Sequence, residues 1–101
     1  MSSEAGLELH LLYRREDRRA WQHCRARVDS GGRVEVVLFH DAVLETEATV
    51  QFSLGEKGRP KVVVMACAED ARQRKVEERW ALIDYPGIIE RCAAAAQVTS
   101  W

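Results

Sequence analysis

Three cysteines, Cys24, Cys67 and Cys92, are the side chains of this 101-residue sequence best suited to covalent chemistry. Cys67 stands apart by position. In "VVVMACAED" (residues 62–70) an unbroken apolar run gives way to acids and then to the basic "ARQRK", so the thiol falls at the switch from a buried strand to a polar helix. The first turn of such a helix aims unpaired backbone N–H groups at its start, which favours a thiolate. An unperturbed thiol is only about 3% ionised at pH 7, and half ionisation requires about 2 kcal/mol. A helix terminus supplies about 0.3–1 kcal/mol in ordinary settings. Glu69 and Asp70 compete for the same N–H groups and repel an anion. These residues suit a thiol that receives an already reactive sulfur atom from a partner, or one that simply fills space, better than an autonomously activated nucleophile.

The other two thiols sit on helical stripes. Cys24 recurs with Trp21 and Val28, and Cys92 with Ile88, Ile89 and Ala96, the setting of a small buried apolar residue. No spacing gives CxxC or a zinc-ligand pair, so neither a disulfide framework nor a metal is expected. His10, His23 and His40 show no metal spacing, and His23, next to Cys24, points elsewhere on a helix. His40-Asp41 follows a strand end and is placed to line the same loop edge as Cys67, with Asp41 better suited to capping than to catalysis. GxGxxG, P-loop and GxSxG patterns are absent, and "GEKGRP" lacks the strand-to-helix context of a phosphate cradle, so no cofactor is indicated.

The elements that must position these side chains follow from periodicity. "LELHLLY" (Leu7 to Tyr13) opens with every second residue apolar, a strand with one face more buried than the other. From about Asp17 the helical spacing of Trp21, Cys24 and Val28 predicts an amphipathic helix that ends before "SGGR". "VEVVLFH" (Val34 to His40) and "KVVVMA" (Lys61 to Ala66) read as central parallel strands covered on both faces. Between Asp41 and Pro60 a helix plus loop is expected. Glu69 to Arg79 suits a short polar helix, "WALID" (Trp80 to Asp84) a further strand, and "YPGIIERCAAAA" a helix with Pro86 at its first position. "QVTSW" fits a fifth strand or a packed tail. The alternation predicts a three-layer α/β/α domain with a mostly parallel sheet of four or five strands, in which ligands gather beyond the carboxyl ends of the strands. One domain spans 1–101, with residues 1–6 read as a flexible N-terminus.

With 15 Lys plus Arg against 16 Asp plus Glu, the net charge of −1 gives no reason to expect direct nucleic-acid or membrane binding. The apolar runs are far short of the ~20 residues of a membrane helix, and "MSSEAG" lacks the regions of a signal peptide, so a cytoplasmic location is expected. The arginines of "RREDRR" either meet an acidic partner or form a solvated connection.

The opening "LHLLYR", the strand-to-turn "VVLFHDAV", the middle "ACAEDARQR" and the ending "LIDYPGIIERC…VTSW" together resemble the DsrH/TusB family of small sulfur-relay subunits, over roughly Leu9 to Trp101. The resemblance implies a DsrE/DsrF/DsrH-like fold. It also implies a heterohexamer with sister DsrE/TusD-like and DsrF/TusC-like subunits, a small sulfur-carrier protein as a further partner, and persulfide transfer toward tRNA wobble 2-thiouridine or within sulfur oxidation. Cys24 matches the first-helix cysteine of DsrH-type members. Cys67 falls where the related DsrE/TusD subunits carry their sulfur-accepting cysteine, and Lys75 replaces the glycine expected after the arginine. Cys67 and Cys24 are thus the candidate persulfide carriers of a sulfurtransferase subunit. The competing expectation is a non-catalytic scaffold that completes the oligomer and positions a partner's cysteine. An independent thiol oxidoreductase is disfavoured, because no resolving cysteine lies nearby.

Overall fold

The computed structural model describes residues 4–46, 50 and 62–101. In chain order these form β1 (Glu4–Leu12), α1 (Arg18–Asp29), β2 (Arg33–Leu38), a 3-10 turn (His40–Leu44), β3 (Val62–Cys67), α2 (Ala68–Gln73), β4 (Ala81–Ile83), α3 (Tyr85–Ala94) and β5 (Ala95–Ser100). The strands make one sheet in the order β4-β3-β2-β1-β5, and every neighbouring pair is parallel. The expected α/β architecture is therefore present, with five strands. No helix among the described residues is long and apolar enough to cross a membrane.

The two sheet faces carry separate cores. On one, Leu12, Val34, Val36, Leu38 and Ala66 pack against Ala20, Trp21 and Cys24 of α1, with Val43, Ala71 and Val76 closing the layer. On the other, Leu7, Leu9, Val37, Phe39 and Cys67 meet Ile88 of α3. Alternation along β1 sends Leu7 and Leu9 to one core and Leu12 to the other, as a two-residue period requires.

Local chemistry sets the ends of the helices. Asp17 caps α1, its Oδ1 accepting from the Ala20 N–H at 3.2 Å, and Gly31 (φ 91°) turns the chain into β2. Asp84 caps α3 by accepting from the Gly87 N–H at 2.9 Å, which places Pro86 in the first turn, where its missing donor costs nothing. Because β4 and β5 are opposite edges of the sheet, α3 has to cross the whole face between them. Ten helical residues rise about 15 Å, and four strand spacings measure about 19 Å, so α3 spans most of that face.

Several expectations shift in detail. β1 begins at Glu4, ahead of the expected Leu7. The helix and loop predicted for Asp41 to Pro60 are represented by the 3-10 turn, and most of that stretch lies outside the described residues. The polar helix expected over Glu69 to Arg79 stops at Gln73. Here the backbone closes back on itself, with Val76 N–H donating to the Ala71 carbonyl at 2.9 Å and Lys75 held at φ 58°. Ala96, expected on the last helix, lies in β5 instead. Pairing of β5 with the open flank of β1 overrides the helix propensity of the alanine run, which is a weak preference beside sheet formation.

Candidate functional site

Cys67 occupies the junction between β3 and α2, as the last strand residue and the N-cap of the helix, without a side-chain capping bond. It is 1% exposed and faces the α3 side among Phe39, Val37 and Ile88. Tyr85, the first residue of α3, stands half exposed over the thiol. Its phenol is raised above its ordinary value of 10.0 by a hydrogen bond with Cys67 first, then by the charge of that thiol, burial, and the Glu69 and Asp70 carboxylates. Asp70, in the first turn of α2, is turned toward the 3-10 segment instead, its Oδ2 accepting from the His40 N–H at 2.8 Å.

Cys24 is fully buried on the opposite face. Burial first and the Glu8 carboxylate second push its thiol up to about 12, which leaves about one molecule in 10⁵ ionised at pH 7. Cys92, half-buried on α3, is the most accessible of the three thiols. The two candidate carriers thus lie on opposite sides of the sheet and do not form one site.

The rim at the carboxyl ends holds Tyr13, stacked on Phe39 with ring centroids 5.0 Å apart, and His40 tilted against Tyr13 at 5.7 Å. His40 does lie beside α2, as its bond to Asp70 requires. Asp41 makes an ion pair with Arg74 at 3.3 Å, and the 3-10 turn has no side-chain cap. Two of the four "RREDRR" arginines find acids within the chain, Arg14 with Asp17 at 3.3 Å and Arg15 with Glu45 at 4.0 Å.

The histidines set aside for lack of spacing prove to be neighbours. His10 of β1 is fully buried under α1, and its ring lies 5.1 Å from that of His23. Glu8 Oε1 sits 3.1 Å from His10 Nε2 and 3.4 Å from His23 Nε2. Arg27 Nε is 2.9 Å from Glu8 Oε2, a charge contact without hydrogen-bond alignment. Trp101 completes the group, its Nε1 donating to His10 Nδ1 at 3.0 Å.

Glu8, His10 and His23 bring their ligand atoms within 4.8 Å of one another, but the bonding is wrong for a cation. An indole N–H only donates, so His10 Nδ1 must be the bare nitrogen and Nε2 must carry the proton facing Glu8. A metal on Nε2 would need the opposite tautomer, and Arg27 already neutralises the carboxylate. The site is a closed polar network rather than a metal centre. The sequence held one signal for it. Glu8 and His10 alternate on the face of β1 opposite Leu7 and Leu9, while His23 and Arg27 are four apart on one side of α1.

Compared with known proteins, the chain matches no family model, no curated protein and no solved structure.

Proposed function

We propose that this chain is an accessory subunit of a cytoplasmic sulfur-relay (sulfurtransferase) assembly, presenting apolar surface to sister chains and positioning a partner's cysteine rather than carrying sulfur itself. The observation that carries the reading is an inversion of exposure. The two thiols nominated by the DsrH/TusB resemblance are 0% and 1% exposed, whereas Val63, Leu82, Tyr85, Ile89 and Val98 are 37–69% exposed. A persulfide carrier needs a reachable thiolate. Large apolar side chains left in water are suited to burial against another protein. The resemblance supplies the class of assembly, with persulfide passing toward tRNA wobble thiolation or within sulfur oxidation.

A second reading rests on Tyr85. If docking of a donor swings the phenol aside, Cys67 can attack the outer sulfur of a donor persulfide. The new bond joins Cys67 Sγ to that sulfur, the donor's S–S bond breaks, and the donor leaves as its thiolate.

Both readings are tested by co-expressing the chain with DsrE/TusD-like and DsrF/TusC-like sisters, sizing the product, and treating it with a persulfide donor before mass analysis of each cysteine peptide. The scaffold reading expects a stable complex with no added sulfur on Cys24 or Cys67. One extra sulfur on Cys67, lost in Cys67→Ser, replaces it with the carrier reading. A monomer that ignores both sisters removes the assembly.

A further inference from the structure

The ring of neutral His10 has only one place for an additional proton. Trp101 donates to Nδ1, and Nε2–H faces Glu8, so both ring nitrogens of the neutral imidazole are in use. The next proton must enter at Nδ1, between that nitrogen and an indole N–H only 3.0 Å away. Two donors cannot share this contact. Protonation of His10 and the Trp101 bond therefore exclude one another.

We propose that His10 and Trp101 form a proton-sensitive latch, which holds the end of β5 against β1 while His10 is neutral and releases it when His10 is protonated.

The surroundings fix the direction. From β1, Glu8 faces the ring and favours its charged form. From α1, His23 opposes a second positive charge, Arg27 is engaged with Glu8, and Cys24 stays neutral. The register partners on β2 and β5 are the uncharged Val36 and Thr99. Burial is the largest influence and lowers the His10 pKa below 6.5, with the Glu8 hydrogen bond and charge working against it. The latch is thus closed at neutral pH and opens on acidification below that value.

What opens is defined by what else holds the segment. Trp101 N–H donates to the Leu11 carbonyl at 2.9 Å, and its ring rests against both His10 and His23. Losing the indole bond leaves the last rungs between β1 and β5 without their side-chain anchor. Of the other two tryptophans packed on this face, Trp21 and Trp80, Trp80 donates to the Val43 carbonyl at 2.9 Å, an acceptor that does not titrate.

The test is an NMR titration of the ¹⁵N-labelled full chain from pH 8 to 4.5. The expected result is a neutral His10 in the Nε2–H form, with the Trp101 indole N–H moving and losing exchange protection at the His10 midpoint while Trp80 stays still. Amides of residues 97–101 should lose protection with the same midpoint. Trp101→Phe, which keeps a ring but removes the donor, should raise the His10 midpoint by about 0.5–1 unit. A neutral His10 protonated at Nδ1, a Trp101 indole that ignores the His10 titration, or an unchanged midpoint in Trp101→Phe would each overturn the latch.

Discussion

Arg91 of α3 reaches over the sheet to Glu35 of β2 with two guanidinium nitrogens, Nε lying 2.8 Å from Oε1 while Nη2 bonds Oε2. Glu35 is 8% exposed at the centre of the sheet, so a carboxylate that would be costly to bury alone is matched by a planar fork. This pair fixes where α3 crosses the strands.

Removing one partner should cost more than removing both. Arg91→Ala strands a shielded carboxylate and is expected to lose about 1–3 kcal/mol. Arg91→Ala combined with Glu35→Val, an apolar β-branched residue suited to a strand, should lose less. Urea unfolding of the two variants and the parent measures the difference, and a double variant weaker than the single would contradict it.

Glu45 is the other deeply placed carboxylate, 1% exposed. It accepts from the Glu16 N–H at 2.9 Å and from Trp21 Nε1 at 3.3 Å. Glu45→Ala should destabilise by about 2–3 kcal/mol, because both donors lose their acceptor in a buried setting. Glu45→Gln, which retains an acceptor oxygen, should lose less, as thermal unfolding will show.

Lys75 takes the left-handed conformation that closes α2, between Ala71 and Val76, which are joined by both a hydrogen bond and apolar packing. A glycine there carries no Cβ penalty. Lys75→Gly is expected to gain about 0.5–1 kcal/mol, the usual preference at such a position offsetting the added freedom of the unfolded chain. Lys75→Val should do the reverse. The midpoint of denaturation decides.

Cys24 makes stability depend on alkaline pH. Its thiol ionises at 9.0 when unperturbed and at about 12 in the fold, so the folded state holds a proton that the unfolded state releases. The contribution is complete below pH 9 and is lost as pH rises toward 12, by at most about 1.4 kcal/mol per unit. Cys24→Ala should remove that part of the slope. In alkylation at pH 8, Cys92 should react first and Cys24 only on unfolding.

The elements were readable wherever one period ruled. The apolar runs of β2 and β3 and the capped α3 follow from local pattern alone. The end of α2 was not, because Lys75 stands in a conformation that points to glycine. The Glu8–His10–Trp101 network was least legible, since its two principal members are 91 positions apart and meet only because β1 lies between β2 and β5. Cys67 was placed correctly at a strand end, but Tyr85 above it depends on where α3 starts. The scaffold reading therefore gained its support from packing, which residue types do not reveal.

The sheet order also governs how the molecule is made. β5, synthesised after β1 to β4, zips onto β1, the first of the five. Until residues 95–101 have left the ribosome, one edge of the nascent layer has its amides and carbonyls unpaired, and maturation waits on a contact of very long range. A binding chaperone, or a sibling chain arriving early, would find that edge open only during this interval.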